Sequence, residues 1–315
     1  MTKRLFAIFL GFLLFFPGFL AAQDVRVFSI GSGNVAGNYF PVASAICDAF
    51  NARDDSRRRC SPEPTPGSIY NLTMMNSGEL DFAIAQSDWQ QAAFEGSAIF
   101  AKNGPIDDLR IVMPLFKESV TILASPNSEI ETLRDLRGKS VDIGRSASGR
   151  NATIRNFLEE MGLDLNFFGS AQELEPSNAL EQLCDDEIDA SIFVLGHPSD
   201  LIQHALEKCD TRLVQVSGPA VNEFLDKNPV FKRSTIDLGV YGLPPRSVET
   251  ISVVAALVAR EDVEVSLVTD LVEAIRMETE NLNAELPVLD AGILENPTVL
   301  NMPLPEHKGV SLGRN

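Results

Sequence analysis

Residues 27–37 read VFSIGSGNVAG, an apolar strand-like run that ends in a loop with glycines at positions 31, 33 and 37. Beyond the loop, apolar residues recur with the 3.6-residue period of a helix: Phe40, Ala43, Ile46, Cys47 and Phe50. The stretch therefore predicts a strand, a tight turn and a helix. Glycines let the backbone approach a ligand closely, and free N–H groups at a helix start favour an anion. A tight turn with no ligand would have the same pattern.

The loop also has the glycine spacing of a dinucleotide-binding turn, Gly31-x-Gly33-x-x-Ala36. Such a fold needs a second strand that ends in an acidic residue about 20 positions later. Asp54 and Asp55 lie near that distance, but in a charged segment followed by the proline-rich SPEPTPG. We expect this region to be a surface loop rather than a central strand. The sequence therefore disfavours a nucleotide site.

The first residues have the order of a secretory signal peptide. Lys3 and Arg4 precede an apolar run over residues 5–16, and the small residues Ala21 and Ala22 follow. The run is short for a membrane-spanning helix. We therefore expect residues 1–22 to be cleaved and the remaining chain to be periplasmic.

Length and charge limit the possible classes of protein. A chain of 315 residues exceeds the size at which one hydrophobic core usually stops growing, so two lobes are expected. The formal net charge is −18, and an acidic surface repels phosphate backbones. The charge therefore disfavours nucleic acid as a partner.

The chain contains four cysteines, all after the predicted signal peptide. The compartment into which the chain would be exported permits disulfides. Three pairings are possible for Cys47, Cys60, Cys184 and Cys209. The local pairing, Cys47 with Cys60 and Cys184 with Cys209, closes two loops between neighbouring elements. Buried free thiols are the alternative.

Strands and helices alternate along the chain, with strands predicted at residues 109–115 and 119–124 among others, which indicates an α/β sheet covered by helices. In open sheets of this kind, ligands bind beyond the carboxyl ends of the strands. Four predicted strand ends change abruptly from apolar to small and polar residues, and each opens a helix: IGSGN (30–34), AQSDW (85–89), IGRSASGRN (143–151) and VLGHPSD (194–200). We expect them to line a cleft in which helix N-termini, each with about half a positive charge, attract an anion.

Motifs over residues 25–311 resemble those of the TAXI family of TRAP-transporter solute receptors. The resemblance rests on GSGNVAGNYFPVASAICDAFN (31–51), PGSIYNLTMMNSGELDFAIAQSDW (66–89), LRDLRGKSVDIGRSASGRNATIRNFLEEMGL (133–163), LEQLCDDEIDASIFVLGHP (180–198), LGVYG (238–242) and PLPEHKG (303–309). It implies an α/β, two-lobed periplasmic binding protein fold of type II. Each lobe is then a mixed, mostly parallel sheet flanked by helices, with the ligand cleft between the lobes.

The resemblance also implies lobe boundaries. We expect the chain to cross between lobes near residues 118–121 and to return near residues 250–254. Lobe one then comprises residues 24–118 and 254–315, and lobe two comprises residues 119–253.

The function implied is capture without chemistry, with no cofactor and no metal. The exported monomer would bind a small anionic solute, such as glutamate or a dicarboxylate, and deliver it to TRAP transporter membrane subunits. A sensor or interaction module on the same fold is one alternative. An exported enzyme is a weaker alternative, because the chain has only three histidines and neither an HExxH nor a GxSxG motif.

The resemblance and the strand-end pattern together predict the ligand-binding residues. In lobe one these are Gly33, Asn34, Tyr39, Ser68, Asn71 and Gln86, and in lobe two they are Ser148, Gly149, Arg150, Asn151 and His197. Arg150 departs from the family pattern, and its guanidinium could clamp a carboxylate through two hydrogen bonds. The alternatives are a solvated arginine paired with an acid on its own helix, a core role for Tyr39 and a structural role for His197.

Overall fold

The computed structural model describes residues 25–53, 57–295 and 302–313. The predicted signal peptide, Asp54 and Asp55 lie outside these residues. Within them, strands and helices follow in this order: β1 (Arg26–Gly31), α1 (Tyr39–Asn51), β2 (Arg58–Glu63), α2 (Ser68–Ser77), β3 (Phe82–Gln86), α3 (Ser87–Glu95), β4 (Leu109–Ala124), β5 (Ser140–Asp142), α4 (Gly149–Glu160), β6 (Ser170–Gln172), α5 (Pro176–Cys184), β7 (Ala190–Leu195), α6 (Asp200–Lys208), β8 (Arg212–Val214), α7 (Pro219–Lys227), β9 (Lys232–Asp237), β10 (Ser247–Arg260), α8 (Val265–Met277), α9 (Thr279–Glu285), α10 (Ala291–Glu295) and α11 (Lys308–Leu312).

The strands form two parallel groups joined by two long antiparallel strands. Their order is β2-β1-β3-β10-β4-β7-β5-β6, with β8 paired to β4 and β9 paired to β10. In the first group β1 runs parallel to β2 and β3, and in the second β5 runs parallel to β6 and β7. Because β4 and β10 pair with each other and with both groups, they connect the two halves of the molecule.

The two connecting strands change partners near the predicted crossings. Strand β4 pairs with β10 up to Ser119 and with β7 from Ser119 onward. Strand β10 pairs with β9 through Ser252 and with β3 from Ala255. The prediction of two separate strands in this region is wrong, because Lys117 and Glu118 remain paired with β10 and keep β4 continuous. The lobe boundaries remain a proposal.

Apolar packing covers both faces of each parallel group. In the first group, Phe28 of β1 packs edge-on against Phe50 of α1 and Phe82 of β3, with ring centroids 4.9 and 5.5 Å apart. A second cluster on this group joins α2 and α3 to β3. In the second group, α4 and α7 cover one face, and α5 and α6 cover the other. These two cores hold the strand ends in fixed positions.

The segment after residue 57 differs from the surface loop predicted for it. Residues 58–63 form β2, which pairs in parallel with β1 at the edge of the sheet. Pro62 is tolerated there because an edge strand has one side of its backbone free of ladder partners.

The cysteines form the local pairing. A disulfide joins Cys47 of α1 to Cys60 of β2, and another joins Cys184, at the end of α5, to Cys209, just after α6. In the part of the chain that the structure describes, no helix combines the length and the apolar character needed to cross a membrane.

Candidate functional site

A cavity of about 330 Å³ lies where the carboxyl ends of strands from both parallel groups meet. All four predicted strand-end junctions contribute to it. Its walls also include two loops that contain no predicted ligand-binding residue, around Pro64–Gly67 and Leu174–Pro176. Of the predicted residues, those lining the cavity are Gly33, Asn34, Tyr39, Ser68, Gln86, Ser148, Gly149 and Arg150. We call this cavity the cleft.

The loop after β1 forms one wall of the cleft. Asn34 Oδ1 accepts a hydrogen bond from the Ala36 N–H at 2.9 Å, which holds the loop in a tight turn. Asn34 Nδ2 donates to Glu175 Oε2 at 2.8 Å, and Glu175 also pairs with Arg145. Because Glu175 follows β6 of the second parallel group, Asn34 links the two sides of the cleft.

The first residue of α2 and the last residue of β3 are hydrogen-bonded to each other beside this loop. Ser68 Oγ accepts a hydrogen bond from the Gln86 N–H at 3.1 Å, and both side chains line the cleft. Asn71 instead lies behind the wall. Its Nδ2 donates to the Ser32 carbonyl at 2.7 Å and to the Ile84 carbonyl at 2.9 Å. Asn71 therefore positions two strand ends, and we no longer propose that it contacts the ligand.

A buried tyrosine–glutamate pair lies at the base of the cleft. Tyr39 Oη donates to Glu118 Oε2 at 2.6 Å, and both residues line the cavity. Burial raises the pKa of Tyr39, and the neighbouring Glu118 raises it further. Burial also raises the pKa of Glu118 to about 8; the Tyr39 hydrogen bond opposes this shift, and the charge of Asp88 adds to it. The Glu118 carboxyl is thus mainly protonated at neutral pH.

The start of α4 forms the opposite wall. Ser148 Oγ accepts from the Asn151 N–H at 3.1 Å, so Ser148 is the N-cap of this helix. A Cβ at Gly149 would lie 2.8 Å from Ser68 Oγ, so only glycine lets the helix approach the first group this closely. Asn151 does not line the cleft, and its Nδ2 donates to the Gly144 carbonyl at 2.7 Å. Asn151 therefore orients the loop that leads into α4.

Arg150 is buried, with 9% of its surface exposed, and forms an ion pair with Asp142 of β5. Its Nη2 also donates to Ser191 Oγ at 2.9 Å, and the guanidinium lies 4.1 Å from the centre of the Phe193 ring. The alternative of a solvated arginine paired on its own helix is therefore wrong. Burial lowers the pKa of Arg150 and Asp142 opposes this shift. Nη1 has no hydrogen-bond partner among the described residues, so this lining residue retains an unused donor.

A contact between the two sides of the cleft involves residues that were not predicted as ligand-binding. Trp89 Nε1 donates to Thr153 Oγ1 at 2.8 Å and to the Gly149 carbonyl at 3.1 Å. Thr153 Oγ1 donates to Asp88 Oδ2 at 2.7 Å. Burial raises the pKa of Asp88 to about 7, and the Thr153 hydrogen bond opposes this shift. The only sequence signal for this contact is that Asp88 and Trp89 follow the β3 strand end.

His197 lies outside the cleft lining. Its Nε2 is 2.8 Å from Thr121 Oγ1, its Nδ1 contacts the Tyr241 hydroxyl, and the peptide bond to Pro198 is cis. Burial lowers the pKa of His197 to about 4, so the imidazole is neutral at pH 7. These contacts support the structural alternative for this residue.

Comparison with known proteins relates the chain to a family and to solved structures. The model of the NMT1-like family matches residues 30–311. A substrate binding protein of an ABC uptake transporter from Streptococcus pneumoniae with bound histidine is 13% identical, with a TM-score of 0.51 over 84% of this chain and 93% of that chain. A putative L-cystine ABC transporter from Listeria monocytogenes is 13% identical, with a TM-score of 0.50 over 83% of this chain and 96% of that chain. These similarities confirm the two-lobed, type II periplasmic binding protein fold.

Proposed function

This chain belongs to the NMT1-like family, and we propose that it is an exported receptor for a small carboxylate-bearing solute. The solute is an amino acid such as glutamate, or a dicarboxylate. The receptor works in the periplasm as a monomer and delivers its solute to the membrane subunits of a TRAP transporter, as the resemblance to the TAXI family suggests.

The observation that carries this proposal is the unused hydrogen-bonding capacity of the cleft. Arg150 Nη1 is a charged donor without a partner among the described residues, and a carboxylate is its natural acceptor. Asn38 Oδ1 is an acceptor without a partner in the same set, and Asn38 also lines the cleft. Residues with an unpaired donor for a carboxylate and an unpaired acceptor for an ammonium group therefore line one cavity.

The acidic residues favour an amino acid over a dicarboxylate. Glu175 lines the cleft, and its carboxylate would attract an ammonium group and repel a second carboxylate. Glu118 also lines the cleft; it is mainly protonated at neutral pH and would gain its charge when an ammonium group binds beside it. Arg145 and Arg150 provide the opposite charge on the α4 side. A zwitterion satisfies both sets of charges.

Capture would proceed by closure of the lobes around the solute. Asn34 and Glu175 already form a hydrogen bond across the cleft, and Gly149 packs against Ser68. The long strands β4 and β10 join the two sides and would accommodate a hinge. Closure removes water, which strengthens the charge interactions and hydrogen bonds of the solute.

Binding without catalysis is supported by the solved structures of the same fold. Those structures are of a substrate binding protein of an ABC uptake transporter and of a putative L-cystine ABC transporter. Within the cleft, the described residues offer carboxyl groups, arginines and amides, and His197 is held outside it.

A thermal-shift panel of amino acids and dicarboxylates, followed by calorimetric titration of the strongest binder, tests the proposal. A solute that binds only the folded state raises the melting temperature. Asn34→Ala removes the contact across the cleft and should weaken that solute severalfold, whereas Asn281→Ala, on the exposed α9, should not. Chemical turnover of the solute, or equal affinities of the two variants, would refute the receptor function.

A further inference from the structure

Lobe two contains a second cavity of about 330 Å³, separate from the cleft. It lies between α4, α7 and the strands β4, β7 and β10. Its lining is mainly apolar and includes Ile154, Phe157, Ile192, Val221 and Ile251. Protein interiors contain few voids larger than a water molecule, and an apolar cavity of about 150 Å³ is enough to hold benzene. We call this second cavity the lobe-two cavity.

The interior of the lobe-two cavity has few polar groups that could bind a water molecule. Thr153 is a polar residue in its lining, and its hydroxyl already donates to Asp88 and accepts from Trp89. A buried water needs about two to four polar partners. An apolar group is therefore a better occupant of the interior than water.

The rim of this cavity is cationic although the whole chain has a formal charge of −18. Arg134 and Arg137 line it and are exposed, and neither forms an ion pair within the described residues. The Arg137 guanidinium lies 4.8 Å from the centre of the Phe167 ring. No aspartate or glutamate is among the lining residues, and the intervening Asp135 accepts hydrogen bonds from Thr132.

We propose that the lobe-two cavity binds an amphipathic anion, a medium-chain aliphatic carboxylate. Its apolar chain occupies the interior, and its carboxylate lies at the rim beside Arg134 and Arg137. An apolar interior with a few polar groups at one end is the usual composition of a small-molecule site, and cavities of about 300 Å³ or more serve in this role. The lobe-two cavity and the cleft lie at different positions along α4, whose first residues Gly149 and Arg150 line the cleft and whose later residue Phe157 lines the cavity.

The test uses decanoate, at concentrations below micelle formation, titrated into the whole mature protein in a calorimeter. The double variant Arg134→Glu/Arg137→Glu should weaken decanoate binding severalfold and leave the binding of the uncharged 1-decanol unchanged. The control Arg246→Glu makes the same arginine-to-glutamate replacement once, at an exposed lobe-two arginine outside the cavity lining, with half the charge change of the double variant. It should bind decanoate as the unchanged protein does.

A second variant tests the apolar interior. Leu133 is partly buried and lines the cavity, so Leu133→Trp should fill the space and abolish binding of both decanoate and decanol. Asn34→Ala, in the cleft, should leave decanoate binding unchanged. Absence of saturable decanoate binding, equal weakening by the double variant and by Arg246→Glu, or loss of binding with Asn34→Ala would overturn the proposal. The outcome is independent of whether an amino acid binds in the cleft.

Discussion

The buried carboxyl of Glu118 makes the stability of this protein depend on pH. Glu118 has 3% of its surface exposed and accepts a hydrogen bond from Tyr39 at 2.6 Å. Its pKa rises from the ordinary 4.5 to about 8, which corresponds to a stability change on the order of 5 kcal/mol over the full interval. Glu118→Gln keeps the shape of the protonated side chain and removes its titration.

The direction of this pH dependence follows from whether the folded or the unfolded state holds the Glu118 proton. Between pH 4.5 and about 8 the unfolded chain has released the Glu118 proton, while the folded protein keeps it. The free energy of unfolding therefore falls as pH rises through this interval. Asp88, with a pKa of about 7, acts in the same direction. His197, with a pKa lowered from 6.5 to about 4, acts in the opposite direction, but only below pH 6.5, so pH 6.5–8 is the clearest interval.

Urea unfolding monitored by circular dichroism at several pH values measures this effect. The unchanged protein should lose stability between pH 6.5 and 8, and Glu118→Gln should show a much flatter dependence, with similar stability to the unchanged protein near pH 5. Glu249→Gln, at an exposed position of β10, is the matched control and should reproduce the curve of the unchanged protein. Parallel curves for Glu118→Gln and the unchanged protein would show that Glu118 is ionised in the folded state and would contradict its raised pKa.

Three further predictions follow from the cleft and the disulfides. Arg150→Lys keeps the charge beside Asp142 but loses the planar fork, so it should weaken a carboxylate solute severalfold in calorimetry; unchanged affinity would remove Arg150 from the proposed contacts. If an ammonium group binds beside Glu118 at pH 7, Glu118 should release a proton, and the binding enthalpy should then differ between phosphate and Tris buffers; a difference that persists in Glu118→Gln would contradict this. Replacing Cys184 and Cys209 by serine opens a loop with a sequence separation of 25 and should lower the free energy of unfolding by about 3 kcal/mol without changing solute affinity, since neither residue lines the cleft; a loss of affinity at full folding would argue against that separation of roles.

The fold was largely predictable because its signals are local. The glycine loop at residues 31–37 and the period of α1 correctly placed the first strand and helix. The prediction failed where tertiary context decides the outcome. Lys117 and Glu118 look like a polar break between strands, but Glu118 is satisfied by Tyr39, which is 79 residues away in the chain. Likewise, the proline-containing β2 is a strand because it lies at the sheet edge.

The site was predictable as a region more than as a set of contacts. Short polar side chains at strand ends either face the cleft, as Asn34 and Ser68 do, or bind the backbone, as Asn71 and Asn151 do. Both roles require the same residue types in the same positions, so the sequence does not separate them. No pattern in the sequence indicated that Glu175 lines the site, because its role depends on the approach of Asn34, which comes 141 residues earlier.

A crystal structure of the protein with the amino acid or dicarboxylate that binds most tightly would show whether the cleft is the solute site. We expect the solute in the cleft, with a carboxylate at the α4 wall beside Arg150 and, for an amino acid, its ammonium group toward Glu118. A solute bound outside the cleft, or a cleft closed by the protein's own side chains in the complex, would contradict this expectation.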